Sequence, residues 1–167
     1  MVLRVESMTD LCSIVSGPID VAALSERVRT PGSGAVATFA GVVRDENRGR
    51  RVERLEYEAY APMAEKEMAR IIEEMRRRWT VEGIAIVHRT GRLEIGETSV
   101  AIAVAAAHRR EALEAVAFAI DRLKADVPVW KKEHGEAGGD WIHGNDPPRP
   151  AGEGVHPVRS ARRRADA

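Results

Sequence analysis

Three basic residues lie together at the start of a helix predicted over 109–125: His108, Arg109 and Arg110. The helix dipole makes exposed cations at this end unfavourable by about 0.3–1 kcal/mol each. Cationic side chains beside the free amides of a helix N-terminus form an anion-binding site. This arrangement indicates either an anion site or arginines that merely pair with nearby glutamates, and the residues alone leave both interpretations open.

A second basic group surrounds the predicted end of the same helix. Lys124 lies in its last turn, and Lys131 and Lys132 follow Pro128. If the segment after Pro128 is extended, adjacent lysines point to opposite sides, so only one of the two can face a given pocket. Arg44 adds a further cation where an apolar strand runs into a loop, a position that often carries function. Ordinary surface charges are the alternative interpretation.

Standard catalytic motifs are absent, because the sequence contains no GxGxxG, P-loop, HExxH or GxSxG pattern. Cys12 is expected to be a buried inert thiol rather than a nucleophile. His134 and His143 flank two acidic residues in a glycine-rich stretch. A metal site there is not predicted.

Composition narrows the classes of function. The 167 residues contain 26 Lys and Arg, 26 Asp and Glu, and one cysteine, so the formal net charge is zero. Neutrality disfavours a general nucleic-acid or anionic-membrane binder, although Arg162–Arg164 could touch nucleic acid. The single cysteine fits a reducing, cytoplasmic compartment. The most apolar stretches span about ten residues, whereas a membrane helix needs about 20.

The domain organisation follows from a change in composition near the end of the chain. Residues 1–144 carry helical and strand periodicities and are predicted to form one domain. Residues 145–167 are rich in proline and arginine and poor in large aliphatic residues, so we expect a disordered tail.

The apolar periodicities predict an α+β fold, because helices and strands mix without strict alternation. Strands are predicted over 12–16, 34–43, 53–60, 84–89, 98–106 and 128–133, and helices over 21–29, 62–79 and 109–125. The stretch 34–43 is apolar on both faces, which favours a central strand, and 44–51 is predicted to be a charged loop. Alanines form one face of 98–106, and the helix over 109–125 is expected to pack there through a stripe that includes Leu113.

Five stretches carry a recognisable pattern. They are GAVATFAGVVRDENRGRRV at 34–52, LEYEAYAPMAEKEM at 55–68, VHRTGRLEIGE at 87–97, AAHRREA at 106–112 and DRLKADVPVWKKE at 121–133. In this order they resemble the large-subunit family of molybdopterin synthase, over about residues 10–143.

The resemblance implies a fold, an assembly and a reaction. The family has an α/β hammerhead-type fold with an additional β subdomain, in which helices pack a mixed sheet. It forms a homodimer that binds two small ubiquitin-like sulfur carriers, giving a heterotetramer. Sulfur passes from the thiocarboxylate on the carrier's terminal Gly-Gly to cyclic pyranopterin monophosphate, producing the dithiolene of molybdopterin. No permanently bound cofactor or metal is expected, and no nucleic-acid or membrane partner.

The resemblance also implies site residues. The expected substrate contacts are Val42, Val43, Arg44, His108, Arg109, Lys124, Lys131, Lys132 and Glu133. Lys124 is expected to be the main catalytic residue and Lys131 the second, because an ammonium stabilises charge that develops when sulfur leaves an acyl carbon. Acid and base roles are not divided between them. The alternative is a non-catalytic module that binds a ubiquitin-like partner or an anionic ligand.

Overall fold

The computed structural model describes residues 9–135 and 141–143. In chain order, the elements are β1 (Leu11–Val15), α1 (Val21–Arg27), β2 (Ala35–Val42), β3 (Glu46–Asn47), β4 (Arg50–Arg51), β5 (Arg54–Ala59), α2 (Ala61–Arg78), β6 (Gly83–Arg89), β7 (Gly91–Glu94), β8 (Thr98–Ala106), α3 (Arg109–Asp126), β9 (Val129–His134) and β10 (Trp141–His143). The expected tail at 145–167 lies outside the described residues.

Two four-stranded sheets organise the chain. The main sheet has the order β1-β6-β8-β2, in which β1 and β6 are parallel and the other pairs are antiparallel. The smaller sheet has the order β10-β9-β5-β7 and is antiparallel. The α+β prediction, with helices on a mixed sheet and a further β unit, is confirmed. No helix within the described residues combines the length and apolarity that crossing a bilayer requires.

The two faces of β8 divide the core. Val100, Ile102 and Val104 face α2 and α3 in the larger cluster. Ala101, Ala103 and Ala105 face α1 in the smaller cluster. The expectation that α3 packs on the alanine face is therefore wrong. The short helix α1, which contributes Leu24 and Val28, is the element that lies against these small side chains.

Three further expectations need correction. The strand over 34–43 is an edge strand, since β8 takes the central position and β2 pairs on one side only within the described residues. The charged loop at 44–51 contains the hairpin β3–β4. Leu113 is 60% exposed, because the buried stripe of α3 runs through Ala112, Ala115, Val116, Ala119 and Leu123 instead.

Local signals place the helix boundaries. The Asp20 carboxylate accepts a hydrogen bond from the Ala23 amide at 2.9 Å, which caps α1 as predicted. Pro62 lies in the first turn of α2, where its missing N–H has no cost. α3 ends before Pro128, whose ring cannot continue a helix.

An ion pair with a buried carboxylate joins the beginning of the described chain to the core. Asp10 is 1% exposed, and its carboxylate accepts hydrogen bonds from Arg76 Nε at 2.7 Å and Nη2 at 2.6 Å. The same carboxylate accepts from the Ile84 amide at 3.0 Å. Asp10 therefore ties the end of α2 to the start of β6.

Replacing Asp10 by alanine should lower the free energy of unfolding by about 3 kcal/mol, because the Ile84 amide and Arg76 lose a buried partner. Urea denaturation measures this change. Glu26→Ala is the control, since its pair with Arg29 is exposed and should contribute less than about 1 kcal/mol. Equal losses in the two variants would contradict the structural role of Asp10.

Candidate active site

A cavity of about 560 Å³ opens where the small sheet meets the main sheet and the end of α3. This volume is in the range of small-molecule sites. Its apolar lining comes from both sheets and from α3: Phe39, Val42, Val52, Leu55, Val100, Ile120, Leu123, Val127 and Val129. Its charged lining is Arg44, Lys124 and Lys131 together with Glu46 and Glu133. Cations exceed carboxylates by one, although the whole chain is neutral.

The connection between α3 and β9 brings two lysines to this cavity. The Val127 amide donates to the Leu123 carbonyl at 3.1 Å, and the Val129 amide donates to the Val127 carbonyl at 2.9 Å. The chain therefore turns sharply around Pro128 and enters β9 beside the helix end it has just left. Lys124 and Lys131 consequently line one cavity. Lys124 is exposed and has no ion-pair partner within the described residues, so it is available to an anionic ligand.

Lys131 is held by a polar network. Its Nζ lies 3.3 Å from Glu133 Oε1, and both side chains are mostly buried. The same oxygen accepts a hydrogen bond from Asn47 Nδ2 at 2.8 Å. Arg44 Nη2 donates to Asn47 Oδ1 at 3.5 Å, a long contact. Asn47 thus bridges the arginine after β2 to the carboxylate beside Lys131.

A tight hairpin presents Asn47. Arg48 and Gly49 both have positive φ, 52° and 77°, between the short strands β3 and β4. Two consecutive left-handed residues form the turn that matches the twist of antiparallel strands. The Val52 amide closes the loop on the Asp45 carbonyl at 2.8 Å. Asn47 is therefore fixed opposite β9.

A buried histidine forms part of the cavity wall. His88 is 5% exposed, and burial lowers its pKa from 6.5 to about 4. Its Nδ1 lies 2.9 Å from the Arg89 carbonyl oxygen and must donate to it. The ring meets Tyr57 edge-to-face, with centroids 5.1 Å apart. A neutral imidazole thus lies among the cations of the cavity.

The structure brings together five of the nine expected site residues. Val42, Arg44, Lys124, Lys131 and Glu133 line the cavity. Val43 does not, and its side chain is buried, 3% exposed, in the core of the small sheet. Lys132 does not either, since it alternates with Lys131 along β9, where it lies opposite Glu56 in the register with β5. The prediction that only one of the adjacent lysines faces a pocket agrees with this arrangement.

His108 and Arg109 lie at the opposite end of α3 from Lys124. Fifteen residues of helix separate Arg109 from Lys124, about 22 Å at 1.5 Å per residue. Neither His108 nor Arg109 lines the cavity. Arg109 has no ion pair among the described residues, whereas Arg110 pairs with Glu114 at 2.8 Å. The simple pairing interpretation therefore holds for Arg110 and fails for Arg109.

Sequence reasoning missed several polar residues of the cavity. They are Glu46, Asn47, Tyr57, His88 and Ser99. One signal was present: Ile84 and Ile86 alternate on the core face of β6, and His88 breaks that apolar row. No comparable pattern marks Asn47, whose position depends on the hairpin turn.

The other candidate groups do not build a second reactive site. Cys12 is half-buried rather than buried; burial raises the pKa of its thiol to about 11, and Sγ donates to the Glu65 carbonyl oxygen at 3.6 Å, which disfavours the thiolate. His134 contacts Glu56 at 3.2 Å and Arg54 at 3.3 Å. Within residues 9–135 and 141–143, no three His, Cys, Asp or Glu side chains are grouped as metal ligands.

The sequence and the fold of this chain match a class of known proteins. The family model described as MoaE protein matches residues 14–126. A molybdopterin synthase catalytic subunit from Halalkalibacterium halodurans is 45% identical over 130 residues, which cover 78% of this chain and 83% of that protein. The human molybdopterin synthase catalytic subunit is 43% identical over 136 residues, covering 81% and 72%. The crystal structure of molybdopterin synthase from Staphylococcus aureus matches with a TM-score of 0.75 and 44% identity, covering 78% and 95%.

The chain belongs to the MoaE family. The resemblance found in the five sequence stretches is confirmed by this match and by the named relatives. The expectation of a sulfurtransferase of molybdenum cofactor biosynthesis, acting as a molybdopterin synthase catalytic subunit, is likewise confirmed.

The buried His88 should make stability fall at acidic pH. Because its pKa is lower in the folded chain than its ordinary value, the unfolded chain binds a proton first, and stability is lost as pH falls from 6.5 towards 4. Between about pH 7.5 and pH 5, protonation linked to His88 should lower the free energy of unfolding of the parent protein by about 2 kcal/mol. His88→Gln should lose about 2 kcal/mol less over the same interval. Urea unfolding at both pH values measures the difference, and parallel losses would contradict the neutral buried state.

Proposed function

We propose that this cavity is where sulfur passes from the C-terminal thiocarboxylate of a small ubiquitin-like carrier to cyclic pyranopterin monophosphate. The observation that carries the proposal is the convergence of Arg44, Lys124 and Lys131 in one cavity. Both reactants are anions, through a phosphate and a thiocarboxylate, so they repel each other. At an effective dielectric of about 20, each cation within 4 Å of an anion contributes roughly 4 kcal/mol of attraction before desolvation, which offsets the repulsion between the two reactants.

Lys124 is the main catalytic residue in this proposal. The thiocarboxylate sulfur bonds to a carbon of the pterin's side ring as a C–O bond at that carbon breaks, and the oxygen leaves with the opened phosphate ester or as water. Water then adds to the acyl carbon and the acyl C–S bond breaks, so the sulfur stays on the pterin as a thiolate. The carrier leaves as a carboxylate, and two carriers supply the two sulfurs. The ammonium of Lys124 holds the incoming thiocarboxylate and stabilises the oxyanion that forms at the acyl carbon.

Lys131 and Arg44 complete the charge of the cavity. Glu133 and Asn47 fix the ammonium of Lys131, so Glu133 acts as a positioning residue for this lysine. The planar guanidinium of Arg44 suits a phosphate oxygen or a pterin acceptor. Besides water, the proposed substrate is the small molecule that the reaction uses, and no permanently bound cofactor is proposed. The cytoplasm stays the predicted compartment.

A second copy of the chain supplies His108 and Arg109 in this proposal. Within one chain these residues lie about 22 Å from Lys124 along α3, so they cannot share its cavity. The edge strand β2 leaves Val36 and Val42 exposed, which fits a surface covered by another protomer. A homodimer in which each cavity borrows the partner's α3 N-terminus would unite the expected cations other than Lys132. With one carrier for each cavity, the assembly is a heterotetramer.

Lys124→Ala should abolish formation of molybdopterin while leaving the fold intact, because the exposed ammonium has no structural partner within the described residues. The assay supplies thiocarboxylated carrier and cyclic pyranopterin monophosphate, and it detects the oxidised fluorescent pterin product. Lys131→Ala should reduce turnover by about 100-fold or more.

Lys66→Ala is the matched control, since Lys66 is an exposed lysine on α2 outside the cavity. It should keep parental turnover. Full activity of the Lys124→Ala variant under the same conditions would overturn the catalytic assignment.

Mixing two variants, at a substrate concentration at which neither turns over alone, tests the shared cavity. In a mixed dimer of Arg109→Ala and Lys124→Ala chains, one cavity carries both defects and the other carries neither. Random reassociation should therefore restore about one quarter of parental activity, by the two-fold symmetry of such a dimer.

A mixture of Lys124→Ala and Lys131→Ala chains is the control, because both lysines line the cavity of one chain. Every cavity in that mixed dimer keeps one defect, so activity should stay absent. If the Arg109 and Lys124 mixture also stays inactive although mixed dimers form, the two residues do not act across protomers.

A further inference from the structure

The side chain of His88 occupies a position that the strand pattern reserves for an apolar residue. Ile84 and Ile86 point from β6 into the main core, and His88 is next on that face. Its register partners on the neighbouring strands, Ile14 and Val100, are both apolar. The row therefore ends in a polar ring where the core gives way to the cavity.

Two contacts fix the orientation of the His88 ring. Nδ1 donates to the Arg89 carbonyl oxygen at 2.9 Å. The ring packs against Tyr57 at an interplanar angle of 72°. In a neutral ring with a proton on Nδ1, the other nitrogen, Nε2, carries a lone pair and can only accept a hydrogen bond. Nε2 has no hydrogen-bond partner among the described residues.

His88 Nε2 is an uncharged acceptor, whereas the charged groups on the cavity wall are three cations and the carboxylates of Glu46 and Glu133. Arg44, Lys124 and Lys131 are cations that suit anionic ligand groups. Ser99 lies nearby, and its hydroxyl already donates to the Gly41 carbonyl oxygen at 3.1 Å. An uncharged acceptor on an apolar floor suits a ligand N–H group, because a buried polar group left unpaired is costly.

We propose that His88 Nε2 accepts a hydrogen bond from a ring N–H or amino group of the pterin and so sets the orientation of the substrate. This inference rests on the proposed function, since the heterocycle is that of cyclic pyranopterin monophosphate. The cations then bind the anionic end of the substrate, while His88 accepts a hydrogen bond from its heterocyclic end. His88 is a specificity-determining residue that takes no part in sulfur transfer itself.

Two substitutions separate the acceptor from the volume of the side chain. His88→Leu keeps an apolar filling of similar size and removes the acceptor. His88→Gln keeps an oxygen acceptor at a similar reach. Binding of cyclic pyranopterin monophosphate, measured by calorimetry on the complex with the carrier, should weaken about tenfold in the leucine variant. The glutamine variant should recover most of that loss.

Inorganic phosphate serves as the probe of the anionic subsite. Its affinity should stay within about twofold of the parent in both variants, since His88 does not contact the anion in this arrangement. An equal loss of phosphate and substrate affinity in the leucine variant would mean that the cavity has collapsed around a structural residue, and it would overturn the proposal. Unchanged substrate affinity in that variant would overturn it as well.

A measurement on the unsubstituted protein does not depend on how the variants fold. With 15N-labelled histidine, the resonance of the unprotonated Nε2 of His88 should move upfield when the substrate binds and stay in place with phosphate. An Nε2 resonance that ignores the substrate would contradict the inference. Turnover by the unsubstituted protein separates the proposed function from the role of His88. An inactive protein overturns the proposed function. An active protein whose Nε2 resonance does not respond to the substrate overturns only the role of His88.

Discussion

Repulsion between like charges is the constraint on which the cavity depends. Lys124 and Lys131 reach one cavity because the chain turns sharply around Pro128 after α3. Two ammonium groups held close together disfavour each other unless anions or a carboxylate lie between them. Glu133 supplies that carboxylate to Lys131, and Asn47 holds the carboxylate in place. Lys124 keeps no such partner within the described residues, and in the proposed function a bound anion takes that place.

The two sheets have different roles in the architecture. The main sheet and its helices form the apolar core, whereas the small sheet contributes β9 and its alternating side chains. Alternation along β9 sends Lys131 and Glu133 into the cavity and Lys132 to the other face. A shift of this strand by one residue would exchange those roles. The three strand pairings of the small sheet hold the register.

Much of the fold was predictable from periodicity, since the helices and the longer strands have clear apolar patterns and proline boundaries. Three features were not. Residues 34–43 are apolar on both faces yet form an edge strand, because edge and centre differ in pairing rather than in composition. Leu113 falls on the outer face of α3 although it is apolar. The alanine face of β8 packs against α1 rather than α3. Small side chains accept either helix, so the sequence pattern does not decide between them.

The site was predictable only where residues lie close in sequence to a turn or a helix end. Lys124, Lys131 and Arg44 were found in this way, and the structure brings them together. Asn47 escaped prediction because a hairpin with two residues of positive φ decides its position. His108 and Arg109 belong to the same chemistry only if a second protomer brings them, and periodicity within one chain carries no information on that.

The most direct test is a crystal structure of the complex with the carrier and cyclic pyranopterin monophosphate. We predict that the substrate phosphate lies within hydrogen-bond distance of cations from the Arg44, Lys124 and Lys131 cavity of one protomer and of the partner's α3 N-terminus. A substrate bound elsewhere, for example in the charged groove between α2 and α3, would contradict it.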